Sequence, residues 1–541
     1  MTARTTPAAR TDPFALAAAV VLLIALPALP GFIATGAPAA LLHVPGESLL
    51  ILLVLALVPW RTLRIVLAAT FGALIVLALV LGGIDRGYRA VLGTRFDPLD
   101  WPQLGSAVGV AADAIGPLAV AALVAALALA GVVAGVALAW AALQADVVIR
   151  RRAHFARGTL TAVTAGWVAV ALVGSSLSAA PHVATAASAD TISSAVSRAS
   201  AAIRARAAIA QTLAHDAFAD VPATDLLTAL RGKDVVIAFI ESYGRSAVEG
   251  SSFSAGVDAV LRESDATLGA HGYSTRSAWL TSPTFGAVSW LAHSTLQTGV
   301  WVDAPTTYNA VVDSTRLTLS DVFGKAGWRT VGDVPSNVRP WPPGTTFYHY
   351  DTLLDAGNVG YRGPVFGYAR IPDQYTWKHF ADTELTGRHR PVMAEIDLVS
   401  SHAPWAPLPH LLPWSQAGNG SAYDAQPAQS ESAAVVWQNP QTVQRFYGQS
   451  IQYALGAMTS FLENVDDPNL VVIALGDHQP ATIVSGTHAD HDVPISIIAR
   501  DPGVMQEIAR WQWTPGLRPT AASPVWRMDA FRDRFLTAFG R

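Results

Sequence analysis

The sequence predicts a polytopic α-helical membrane part followed by an α/β domain built on a largely parallel central sheet. Three observations carry this expectation. The apolar excess is concentrated in the first third of the chain, the charge balance reverses sign along it, and four short apolar runs in the remainder each abut polar, chemistry-bearing residues. Of 541 residues, 51% are hydrophobic and 14% charged, more apolar than an ordinary soluble enzyme. Residues 1–180 hold 11 Arg against 7 Asp and Glu, net +4, whereas the other 361 carry 25 basic and 33 acidic residues, net −8. That acidity excludes a nucleic-acid binder, which needs a concentrated basic face. With no Cys in the chain, disulfides, thiolate metal sites and Cys nucleophiles are removed together.

Residues 14–34 are uncharged throughout, long enough as a helix to cross a hydrocarbon core of about 30 Å. A signal peptide has a shorter apolar core and is not followed by further spans, so the segment reads as an uncleaved first span. Residues 65–84, a helix within 114–145 and one beginning near Gly158 are further spans. Around 41–60, Pro45 and Glu47 leave a shorter apolar run, and topology decides its status. With five spans and a cytoplasmic N-terminus, Arg4, Arg10, Arg61, Arg64, Arg150, Arg151, Arg152 and Arg157 fall inside, against Arg86, Arg89 and Arg95 outside. This satisfies the positive-inside rule and places the acidic domain outside a cell membrane. Pumps and channels need ionisable residues in their spans; the central stretches here have none, which favours an anchor. Asp85, Arg86, Arg89, Asp97 and Asp100 fall in the loop after the third span.

Residues 184–231 are rich in Ala, Ser and Arg, with Ile192, Val196, Ile203, Ile209 and Leu213 at helix-compatible spacings. The expected organisation is a transmembrane domain at 1–182, a helical connector at 183–231 and a catalytic domain at 232–541.

From Lys233 the pattern changes. The run 234–240 is apolar and β-branched, as a strand buried on both faces requires, and ends in Glu241-Ser242-Tyr243-Gly244. The same arrangement recurs at 391–398 before Ser400-Ser401-His402 and at 469–475 before Gly476-Asp477-His478; a fourth run, 493–499, comes after His491-Asp492. In a parallel α/β sheet the ligand site lies beyond the strand C-termini, where the Glu, His and Asp-His groups all fall. Asp477, His478 and Glu241 offer oxygen and nitrogen donors suited to Mn²⁺, Zn²⁺ or Mg²⁺. The hydroxyl nucleophile is expected in Thr281-Ser-Pro-Thr284-Phe-Gly-Ala-Val-Ser-Trp-Leu-Ala-His293, where a helical pattern begins soon after Thr284 and a helix N-terminus can bind phosphate. Plain N-capping accounts for one polar residue there but not for a Thr beside three metal-type clusters.

The set FIES (Glu241), SPTFG (Thr284), PDQYT (372–376), SSHAP (His402), GDH (Asp477, His478) and HDVP (His491) resembles the extracytoplasmic sulfatase-like branch of the alkaline phosphatase superfamily. Five spans before such a domain are similar to the lipoteichoic acid synthases, which are phosphoglycerol transferases; phosphoethanolamine transferases are the nearer cousins in chemistry. The resemblance implies that Glu241, Thr284, Asp477 and His478 hold one divalent metal, Mn²⁺ first and Zn²⁺ or Mg²⁺ as alternatives, with Thr284 also the nucleophile. It implies that His402 and His491 contact the transferred phosphoryl group or a second metal. Arg339 and Trp341 correspond to the part of the chain that supplies headgroup contacts.

The implied reaction moves a phosphoglycerol-type group from a phospholipid donor to a cell-envelope acceptor, a glycan, glycolipid or polyol phosphate, through a phospho-threonine. Phosphoethanolamine transfer and phosphodiester hydrolysis are the alternatives within this fold; an inactive membrane-tethered binding protein is the alternative of another class. A true sulfatase is excluded by its formylglycine motif: there is no Cys, and Phe285-Gly286 come after Thr284 without the needed Arg.

Overall fold

The computed structural model describes residues 12–92, 95–101, 104, 105, 108, 117–151, 153–176 and 184–540. Arg4, Arg10 and Arg152 lie outside the described residues, as do 177–183 around the expected domain boundary. Two compact units divide the chain near residue 204.

In the first unit, among the described residues, four helices are long and apolar enough to cross a membrane: Pro13–Thr35, Arg61–Arg89, Pro117–Arg151 and His154–Leu172. The expected fifth span is the short helix Gly46–Leu57, whose 12 residues rise only about 18 Å at about 1.5 Å each. Five spans is therefore an approximation: four full-length helices and one that is too short to cross alone. Its last carbonyls are not left bare: Arg150 donates to Leu55 O and Val58 O, and Arg157 to Ala56 O. Buried Asp146 gathers Arg64 and Arg150 beside them.

The third-span helix runs on through Asp85, Arg86 and Arg89 to Leu92, so these residues are helical rather than in a loop. Asp85 is buried, accepts from Phe96 N at 3.0 Å and pairs with Arg89 and Arg198. Strand β1 (Val44–Pro45) pairs in parallel with β2 (Ala184–Thr185). Next to it, Glu47 Oε1 accepts from the amides of Ser188 and Ala189 at 2.8 and 3.2 Å, a carboxylate at the N-terminus of the helix Ala187–Leu213 where free N–H groups and the helix dipole favour it. Within the expected connector, residues 187–213 are thus helical, with Val196 and Ile203 exposed, whereas 214–231 run as turns with one short 3-10 segment, Thr228–Leu230.

The second unit is a three-layer α/β/α domain on a nine-stranded sheet. Its strands are β3 (Asp234–Ile240), β4 (Ser274–Thr281), β5 (Arg329–Val334), β6 (Thr352–Asp355), β7 (Val392–Leu398), β8 (Leu470–Gly476), β9 (Asp492–Ala499), β10 (Thr514–Pro515) and β11 (Val525–Arg527). The order is β10-β4-β9-β8-β3-β7-β5-β6, with β11 also on β4. Central strand β3 explains its unbroken apolar run: Val235, Ile237 and Phe239 face one core, while Val236, Ala238 and Ile240 face the other. The first core is covered by Ser289–Thr298, Leu319–Lys325 and Asp529–Phe539, the second by Ser254–Ala270, Asp373–Glu384 and Pro440–Asn464.

Strands β8, β3, β7, β5 and β6 run parallel, but β9 is antiparallel to both β8 and β4. That reversal brings the beginning of β9 to the rim where β3, β4, β7 and β8 end. Glu241, Ser282, His402, Asp477 and His491 all lie just beyond strand ends at this one rim.

Candidate active site

Three ligand-type side chains converge at the rim. The donor atoms of Glu241, Asp477 and His478 lie within 4.8 Å of one another, with His478 Nε2 3.5 Å from Glu241 Oε1 and 3.5 Å from Asp477 Oδ2. Two strand ends supply them, β3 for Glu241 and β8 for Asp477 and His478. Ser242, left-handed at φ 57° and so strained for a residue with a Cβ, turns the chain after β3. Its amide donates to Asp477 Oδ1 at 2.7 Å, its hydroxyl to Glu241 Oε1 at 2.9 Å, and its carbonyl accepts from Tyr447 at 2.7 Å. Asp477 Oδ1 also accepts from His478 N, whereas Oδ2, fully buried, has no hydrogen-bond partner. The Nδ1 of His478 lies 2.8 Å from Gln479 O. As the donor in that bond, it fixes the ring with Nε2 facing the carboxylates, the usual way an outer hydrogen bond orients a metal-binding imidazole.

Electrostatics make this a costly arrangement without a cation. Burial works against the charge of Glu241, yet His402 and His478 hold its carboxyl down to about 2. Burial and the charge of Glu241 push Asp477 up to about 7. An orphaned buried carboxylate oxygen, a second carboxylate and an imidazole lone pair are a donor set that fits a divalent cation.

The loop that carries Thr284 is fastened to the same place. Ser282 N donates to His491 O at 2.9 Å, Ser282 Oγ donates to Asp477 O, and Gly286 N donates to Gln479 O at 2.9 Å. Phe285 bridges to Gln479. Thr284 between them is buried; its hydroxyl lies 3.4 Å from Ser282 Oγ. The helix begins at Ser289, five positions beyond Thr284, so Thr284 belongs to the loop and not, as the sequence pattern leads one to expect, to a helix N-terminus. The residue at the helix start, Ser289, makes the closer contact: its hydroxyl is 2.8 Å from Glu241 Oε2 and 3.2 Å from His478 Nε2.

His402 and His491 flank this group. His402 stacks on Tyr368 with ring centroids 3.7 Å apart, and the adjacent Ser401 hydroxyl donates to Glu241 O. His491 lies with Nδ1 3.2 Å from Ser282 O. Its loop is pinned by Arg245, which pairs with Asp490 and Asp492, and by Thr281 Oγ1, which donates to Asp492 Oδ1 at 2.9 Å. Arg339 is exposed, and Trp341 packs on Tyr348; neither belongs to the carboxylate–histidine group.

A second cluster is not signalled by the sequence motifs. His293 Nδ1 lies 3.1 Å from Glu395 and 3.3 Å from Asp397, and its ring stacks on Phe239. Burial opposes its charge, but Asp397, Glu395 and Asp477 outweigh that and raise His293 to about 9. Glu395 Oε2 is further engaged by Gln297 and Tyr350, whereas buried Asp397 Oδ1 has no hydrogen-bond partner; the three side chains hold their donor atoms within 4.8 Å of one another. Its one local sign is the pair of carboxylates two apart within an otherwise apolar strand.

No protein-family model matches the chain, and no curated protein matches it. Solved structures do. A protein of the alkaline phosphatase superfamily from Vibrio parahaemolyticus is similar at 15% identity, over 62% of this chain and 74% of that one, with a TM-score of 0.38. The lipoteichoic acid synthase LtaP from Listeria monocytogenes is similar at 14% identity, over 50% of this chain and 66% of that one, with a TM-score of 0.31. The integral membrane lipooligosaccharide phosphoethanolamine transferase A from Neisseria meningitidis is similar at 14% identity, over 97% of this chain and 94% of that one, with a TM-score of 0.43.

Proposed function

We propose that the protein is a membrane-anchored, metal-dependent transferase that moves a phosphoglycerol-type headgroup from a phospholipid to a cell-envelope acceptor through a phospho-Thr284 intermediate. The observation that carries this is the convergence of Glu241, Asp477 and His478, with one buried carboxylate oxygen left unpartnered, at the loop that holds Thr284. Residues 1–182 act as the anchor, 183–231 as connector and 232–541 as the catalytic part, facing out of the cell membrane from a cytoplasmic N-terminus.

Glu241, Asp477, His478 and Thr284 would hold the cation, Mn²⁺ by preference, with Zn²⁺ and Mg²⁺ to be compared. A divalent cation supplies Lewis-acid stabilisation of negative charge on oxygen, which a Thr hydroxyl needs to act as a nucleophile at neutral pH. Thr284 Oγ1 attacks phosphorus, the P–O bond to diacylglycerol breaks, and the leaving oxygen takes a proton while that of Thr284 is lost. A hydroxyl of the acceptor then displaces Thr284 in a second in-line step. His402 and His491 are set to offset charge on the phosphoryl oxygens or to donate that proton. Arg339 and Trp341 are assigned to the headgroup.

The test is release of diacylglycerol from fluorescent phosphatidylglycerol by the purified chain with Mn²⁺, stopped by a chelator and by Glu241→Ala. Release from phosphatidylethanolamine alone reassigns the headgroup; release from neither overturns the reading. The mass added to Thr284 after incubation with lipid names the group transferred.

A further inference from the structure

Ser289 stands among the ligand-type side chains. Asp477 Oδ2, beside them, has no hydrogen-bond partner. Ser289 Oγ lies 2.8 Å from Glu241 Oε2 and 3.2 Å from His478 Nε2, whereas the Thr284 hydroxyl lies 3.4 Å from Ser282 Oγ. The Ser289 O–H donates to Glu241, which leaves the oxygen its lone pairs for a cation. The backbone spends energy to keep it there, since Val288, a β-branched residue, sits at φ 62° and ψ 44° immediately before it.

We propose that Ser289 Oγ is a further oxygen ligand of the divalent cation held by Glu241, Asp477 and His478, so that the site contains two hydroxyls, Thr284 to react and Ser289 to bind. This rests on the metal reading of the site. Ser289 would bind through a lone pair of Oγ while its O–H donates to a carboxylate oxygen.

Because the chain has no Cys, Ser289→Cys introduces a single thiol, and Co²⁺ serves as the probe. The purified full-length variant with Co²⁺ is expected to show a thiolate-to-cobalt charge-transfer band, absent from the wild type and abolished by adding Glu241→Gln. In parallel, Ser289→Ala is expected to weaken Co²⁺ binding by calorimetry about 10–100-fold, with an unchanged far-ultraviolet circular dichroism spectrum. Cobalt d–d bands in Ser289→Cys without the charge-transfer band, together with wild-type affinity in Ser289→Ala, would overturn the assignment of Ser289 while leaving the metal site standing. Failure of the folded wild type to bind Co²⁺ or Mn²⁺ overturns both.

Discussion

Gly476 and Tyr243 approach so closely that a Cβ on Gly476 would stand 1.9 Å from the Tyr243 carbonyl oxygen. Gly476 ends β8 directly before Asp477, and Tyr243 lies two positions after Glu241. The two ligand-bearing turns can therefore meet only because one of them carries no side chain at that point. Gly476→Ala is expected to destabilise the domain by about 1–3 kcal/mol and to weaken Mn²⁺ binding, read by thermal unfolding and calorimetry on the same preparation. Unaltered affinity would show that the turns tolerate separation.

As the proposed nucleophile, Thr284 offers a test that separates chemistry from binding. Thr284→Ala is expected to lose headgroup release by about 10³-fold or more, with no phosphorylated species at residue 284 by mass spectrometry, whereas Thr284→Ser keeps a hydroxyl and retains measurable turnover. A Thr284→Ala protein of full activity would move the nucleophile elsewhere.

Asp216 lies 2.7 Å from fully buried Arg532 and 3.4 Å from buried Arg316. Burial opposes its charge, but Arg532 and then Arg316 hold its carboxyl below the usual carboxylate range. A depressed folded value means stability that is present above the unfolded carboxylate value and lost as pH falls through the folded one. Asp216→Asn leaves two guanidinium groups facing each other and is expected to cost about 3–5 kcal/mol. Its melting temperature should fall sharply at neutral pH and approach that of the wild type in acid.

His293 has the opposite sign. Its folded value, raised to about 9, exceeds the unfolded value of about 6.5. The ion cluster with Glu395 and Asp397 contributes stability that is full below about 6.5 and lost as pH rises through about 9. The melting temperature of the wild type should therefore decline across that window, and that of His293→Gln should be lower at pH 6 with a flatter alkaline limb. Parallel curves for the two proteins would refute the charged imidazole.

Burial on two faces is the property most legible in the sequence. Strands β3, β7, β8 and β9 stand out as mainly apolar runs, broken in β7 by Glu395 and Asp397, and Glu241, His402, Asp477 and His478 sit at or just past the C-terminal ends of three of them. Strand β4 (Ser274–Thr281) and strand β5 (Arg329–Val334) mix polar and apolar residues and carry no such mark. His491 stands out in the sequence beside its strand, but the reason it reaches the same rim, the reversal of β9 against β8, is a pairing choice that no local pattern records. Ser289 looks in the sequence like part of a helical segment, because its role emerges only when Glu241 and His478, 48 and 189 residues away, arrive next to it. In the membrane unit, Pro45 and Glu47 signal an interrupted span; the structure turns that interruption into a helix of 12 residues.

The reversed strand has a consequence for how the molecule is made. Among the described residues, strand β4, which leads into the loop carrying Thr284, is paired only by β9, β10 and β11, all drawn from residues 492–527. During synthesis β4 must wait, its edges unclosed, until some two hundred further residues have left the ribosome. Nascent chains halted before residue 492 should accordingly be captured by hydrophobic-segment chaperones and cut by protease near 274–281, whereas those extended past 540 are protected.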